Sequence, residues 1–149
     1  MADVKVNIYL ASSIKGLRRT NGVVGYVIEA DTSKGAATLT QFGSVKDVTE
    51  NQSELIALKN ALTRIKPECE ITLWTDNQYI RSAFLQDWLK GWQSTGWKNS
   101  KGKPVANEKE WREVAESLSG TSPEVMLGQE HIYKNYLTRE VERRAKKYV

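Results

Sequence analysis

Cysteine and histidine are nearly absent from this chain: there is one of each. The single thiol, Cys69, excludes an intrachain disulfide and cannot build a zinc cluster. It precedes an apolar run, so a buried structural thiol is expected. Long hydrophobic stretches are missing too, which excludes a secretory core segment and a membrane-spanning helix from the sequence as given. Repeats, linkers and low-complexity tracts are lacking, so a single domain over 1–149 is expected, cytoplasmic, monomeric and without a membrane partner. Strong charge of one sign is also lacking. The 22 Lys+Arg against 18 Asp+Glu give a net charge of +4 and a pI near 9.1. That balance permits a polyanionic partner without demanding one. Hydrophobic content of 40% against 27% charged excludes a disordered chain.

What is present has a clear period. Val4, Val6, Ile8 and Leu10 alternate with Lys5, Asn7 and Tyr9, which is a strand with one face in a core. GVVGYVIEA and ATLTQFGSV read as two more strands joined by short polar links, so an antiparallel meander is expected. Thr49 opens a helix cap to which the Gln52 side chain can reach back. Leu55, Leu58, Leu62 and Ile65 then form one helical stripe, and Pro67 stops it. EITLWT is a short apolar strand flanked by helices, hence parallel and buried. Ile80, Phe84, Trp88 and Trp92, at steps of four, predict one further helix. EKEWREVAESL predicts another, Pro123 to Leu127 a last strand, and Leu137, Val141, Ala145 and Tyr148 the stripe of a C-terminal helix. The order β-β-β-α-β-α-(α)-β-α is that of an α/β domain with a mixed sheet.

Two acids stand at strand–helix junctions. Asp76 ends the buried strand, where open α/β sheets gather ligands; it also suits a helix N-cap. Glu54 lies one turn into its helix, beside the apolar stripe; it also suits a solvated acid favoured by the helix dipole. Paired acids suggest a divalent cation. The loop that follows, GWQSTGWKNSKGKPV, interleaves cations with aromatics, a composition suited to nucleic acid or simply to a solvated loop. Trp88 and Trp92 continue an apolar stripe, which favours core packing.

From Tyr9 to Trp111 the chain resembles type 1 ribonuclease H, the family that cuts the RNA strand of RNA–DNA hybrids. A T-x-N-x-x-E-L run is matched by Thr49, Asn51, Glu54 and Leu55. A T-D-S-Q-Y motif is matched by Thr75, Asp76, Gln78 and Tyr79, with Asn77 in place of Ser. The basic protrusion is matched by Trp88, Trp92, Gly96, Trp97, Lys98, Lys103, Pro104 and Val105, and Trp111 fits as well. The resemblance implies a ribonuclease H-like fold: a five-stranded mixed sheet, three strands antiparallel and then two parallel, with helices on both faces. It also implies Mg²⁺ or Mn²⁺, two ions about 3.5–4 Å apart, activating water at a phosphodiester. On that resemblance Glu54 and Asp76 are metal ligands. Asn51 and Gln78 read the minor groove, with Ser12, Ser13 and Thr49 beside them. Lys90, Lys98, Lys101 and Lys103 meet phosphates.

The pattern breaks in two places. Active members open with D-G-S or D-S-S on the first strand, and that Asp bridges both metals. Here the run is Ala11-Ser12-Ser13, and Ala11 offers no oxygen. An engineered knockout and a naturally degenerate member both fit. Near the C-terminus the family's K-G-H falls on Leu127-Gly128-Gln129, and the Asp of its N-x-x-x-D falls on Arg139, four after Asn135. Shifts of register put Glu140 or Glu142 there, and Glu140, flanking the stripe at Val141, is taken as the third catalytic and metal-binding acid. Both glutamates also suit i,i+4 pairs with Arg144 and Lys146. His131 stands three residues past the gapless histidine position. It reads as a mobile catalytic histidine or as a loop residue without a role. Loss of a metal-bridging carboxylate predicts cleavage slowed roughly a thousandfold or more. Hybrid binding without catalysis, on RNA–DNA or double-stranded RNA, is the alternative.

Overall fold

The computed structural model describes residues 4–66 and 69–148, the last by its backbone alone. The expected stop at Pro67 and the side chain of Tyr148 lie outside the described residues. Strand β1 is Lys5–Ser12, β2 is Thr20–Thr32 and β3 is Gly35–Val48. They pair antiparallel, Tyr9 opposite Val27 and Ala11 opposite Gly25. Gly25 is needed where it stands, because a Cβ there would meet the Phe42 ring at 2.5 Å. Helix α1 is Glu50–Leu62 and β4 is Glu70–Thr75, which returns parallel to β1. Helices α2 (Gln78–Leu85), α3 (Trp88–Ser94) and α4 (Glu108–Leu118) precede β5 (Glu124–Leu127), parallel to β4, and α5 (Lys134–Ala145) ends the fold. The sheet order β3-β2-β1-β4-β5 is the expected five-stranded mixed sheet.

Alternation along β1 divides the core. Val6, Ile8 and Leu10 pack with Leu55, Leu58 and Leu62 of α1 in the main cluster. Tyr9 packs with Val27 and Leu137 of α5 on the other face, with Ala11, Phe42 and Trp74 against them. Both faces of the sheet are therefore covered, and β1 reads as nearly continuous burial.

Several local expectations need correction. The stripe Ile80-Phe84-Trp88-Trp92 spans two helices, because Asp87 takes a left-handed backbone (φ 56°) between them. Spacing of four survived the break, so the pattern did not reveal it. Asn77 rather than Asp76 caps α2, its Oδ1 accepting from Ile80 N. Thr49 caps α1 through Gln52 N, but the Gln52 side chain turns to Glu110 Oε2 (3.4 Å) instead of back to the cap. Cys69 is half-buried at the edge of the main cluster rather than within it.

Candidate nucleic-acid and metal site

The parallel strands β1 and β4 end side by side, and a cleft opens beyond their carboxyl ends. Leu10, Ala11, Ser12, Thr75 and Asp76 form its floor. Glu54 reaches it from α1, and Lys134, Thr138 and Glu142, one helical face at steps of four, reach it from α5. Glu54 and Asp76, far apart in sequence, are thus brought to one place.

Glu54 is only 4% exposed, which removes the reading as a solvated acid. Its Oε1 accepts from Thr75 Oγ1 at 3.1 Å. Burial pushes its carboxyl up to about 7, while Lys15 and the Thr75 hydroxyl pull in the opposite direction. Asp76 is more open, 59% exposed in its side chain, and its Oδ1 lies 3.4 Å from Lys134 Nζ.

The third acid is not where expected. Glu140 does not line the cleft; it is bound to Arg143 (2.8 Å) and Arg144 (3.3 Å) on the flank of α5, and the Arg143 hydrogen bond holds it below the usual carboxylate range. Glu142, two positions on, lines the cleft, and Arg139 does not. A helix turns about 100° per residue, so two positions put Glu140 and Glu142 on nearly opposite faces.

His131 is packed at the cleft rather than free in its loop. It lines the cleft, with its ring centroid 4.5 Å from that of Tyr9 and 5.7 Å from that of Trp74. Its Nδ1 accepts from Tyr133 N at 3.2 Å. Burial and Lys134 hold its pKa below the usual value. Beneath it, Tyr9 and Tyr133 both donate to the Glu29 carboxylate. Desolvation and Glu29 push the Tyr9 hydroxyl up to about 12.

The expected groove readers sit next to the acids, with local duties. Asn51 Oδ1 accepts from Asn77 Nδ2 (3.0 Å), and Gln78, exposed, donates to Ser82 Oγ (2.9 Å). Ser12 is buried and shares a 2.7 Å hydrogen bond with Ser53, and Ser13 Oγ accepts from Val23 N. Thr49 is the cap of α1. Lys90, Lys98, Lys101 and Lys103 are all exposed. The loop that carries the last three is folded: Asn99 Oδ1 accepts from Lys101 N and Lys103 N, and Trp97 is buried. Trp88 and Trp92 pack against the core, as their spacing implied.

Sequence reasoning missed two cations, Lys15 and Lys134. Lys134 shares its helical face with Thr138 and Glu142, a signal available in the sequence once the helix is placed.

This donor set does not fit a pair of divalent ions. Ala11 presents a methyl group, Asp76 is already paired with Lys134, and Lys15 and Lys134 both bring positive charge to the cleft. Among the described residues no group of three or more His, Cys, Asp or Glu side chains is assembled to hold a metal ion.

The fold is shared with LC9-RNase H1, described as a type 1 RNase H with the type 2 active-site motif (TM-score 0.76, 20% identity, all of this chain and 75% of that one). It is also shared with the foamy viral protease-reverse transcriptase in complex with RNA/DNA hybrid (TM-score 0.64, 15% identity, 97% of this chain and 19% of that one). In sequence the chain is 34% identical over 110 residues to ribonuclease H of Acetivibrio thermocellus, covering 74% of this chain and 71% of that protein. The RNase H family model matches residues 3–128, ending just before the irregular C-terminal segment. On the match of sequence and the match of fold together, the chain belongs to the RNase H family.

Proposed function

We propose that this chain binds RNA–DNA hybrids across the cleft and cuts their RNA strand weakly or not at all. One observation carries the reading: Ala11 lies in register on β1, in the floor of the cleft that holds Glu54 and Asp76. The frame of a metal-dependent nuclease is kept and one carboxylate is replaced by a methyl. The amides of Asn51 and Gln78 beside the acids suit base edges and the 2′-OH that marks an RNA strand. The exposed lysines suit phosphates. The foamy viral neighbour was captured with an RNA/DNA hybrid, which agrees with that substrate class.

Ala11→Asp is the test. It would give the cleft four carboxylates, with Glu54, Asp76 and Glu142, against the two lysines. Excess negative charge then draws Mg²⁺ or Mn²⁺ past Lys134. Hydrolysis of a labelled hybrid in Mg²⁺ should rise by orders of magnitude over the parent chain. A rate left at background, with the variant folded, refutes the view that position 11 is what limits catalysis.

A second reading, a non-catalytic binding module for hybrid or double-stranded RNA, is favoured by one contact. Lys134 places an ammonium beside Asp76, from the face of α5 that lines the cleft. This version predicts hybrid affinity indifferent to chelator and steeply weakened by salt.

A further inference from the structure

The mismatch between this donor set and the divalent-metal chemistry of the family points to a different device. Lys134 Nζ lies 3.4 Å from Asp76 Oδ1 and 3.6 Å from Glu130 Oε1. Charge-assisted N–H···O contacts close to about 2.7–2.9 Å when they are locked. The ammonium is therefore hydrogen-bonded to Asp76 and shared with Glu130, but locked tightly to neither. It has three donors and no acceptor, so it retains capacity for another oxygen. Its side chain is 24% exposed, enough to be reached from solvent and shielded enough to act in reduced dielectric. Lys15 lines the same cleft, as do Thr138, Gln129 and His131, whose Nδ1 is taken as an acceptor and whose Nε2 is left to donate. Cations and neutral donors thus meet the carboxylates of Glu54, Asp76 and Glu142 in one cleft, beside the methyl group of Ala11.

We propose that Lys134 is the resident cation of this cleft: its ammonium binds a phosphodiester oxygen directly, and the chain holds nucleic acid without a divalent metal. The identity of the nucleic acid rests on the hybrid reading above; the role of the lysine does not. Asp76 then acts as a positioning residue, holding Lys134 toward the cleft.

Two measurements test this. In the first, Mn²⁺ alone is titrated calorimetrically into the intact parent chain. Heats at the level of dilution are expected; saturable Mn²⁺ uptake that strengthens hybrid binding overturns the proposal whatever any variant does. In the second, binding of a labelled RNA–DNA hybrid and of double-stranded DNA is followed by fluorescence anisotropy in excess EDTA. Lys134→Met should weaken binding on the order of tenfold and make the salt dependence shallower by about one unit in the log–log slope. Lys134→Arg should keep most of the affinity. Unchanged affinity in Lys134→Met, with a native circular dichroism spectrum, overturns the proposal. Should the parent chain prefer hybrid no more than DNA, yet lose affinity for both in Lys134→Met, the lysine's role stands and the hybrid reading alone fails.

Discussion

Glu54 is the residue on which burial and charge conflict most. Its carboxyl is enclosed at the end of α1, and burial moves it from an ordinary 4.5 to about 7. Between those two values the folded chain holds a proton that the unfolded chain has released. The contribution of Glu54 to stability is therefore greatest below about 4.5, falls as pH rises through the window, and is gone above about 7. The full effect is on the order of 3 kcal/mol. Glu54→Gln removes the titration while keeping an acceptor for Thr75. Urea unfolding at pH 5 and pH 8 should show a marked loss in the parent that the variant lacks. Equal pH dependence in the two chains would contradict the assignment. The sequence placed Glu54 and Asp76 correctly at strand–helix junctions. It favoured Glu140 over Arg139 and Glu142 without the helical phase of α5, which the packing of Leu137 and Val141 sets.

At the scale of elements, caps decide where the side chains of the cleft begin. Asn77 does three things at once: its Oδ1 caps α2 through Ile80 N, its Nδ2 donates to Asn51, and its backbone N donates to Thr75 Oγ1. Asn77→Ala should cost about 1–2 kcal/mol, read from the midpoint of chemical denaturation. It should also weaken hybrid binding, since Asn51 loses the contact that orients it. An unchanged midpoint would mean that the cap is dispensable. Strands β1, β4 and β5 were legible because their apolar alternation or continuity is local. The break between α2 and α3 was not. Ile80 and Phe84 before Asp87 and Trp88 and Trp92 after it pack on the same core, so hydrophobic spacing continues across a turn made by a left-handed backbone.

On the scale of the whole molecule, the sheet presents its parallel strand ends to a cleft, and the folded basic loop, held by Asn99 and Trp97, adds exposed lysines to the same chain. Among the described residues no helix is long and apolar enough to cross a membrane. The five-stranded architecture was readable as an order of elements: short polar links make β1, β2 and β3 neighbours in the sheet, while helices carry the chain over to the parallel strands β4 and β5. The aromatic shelf of Tyr9, Trp74 and Tyr133 around His131 was not, since its members come from three separate segments. The cleft with its acids and lysines, and the amides of Asn51 and Gln78 near the acids in the chain, should read a ribose-bearing duplex. Competition binding of the unmodified chain, hybrid against double-stranded DNA of the same sequence at physiological salt, asks this most directly. A clear preference for the hybrid is predicted, through Asn51 and Gln78 at the 2′-OH; equal affinity for the two duplexes would contradict it.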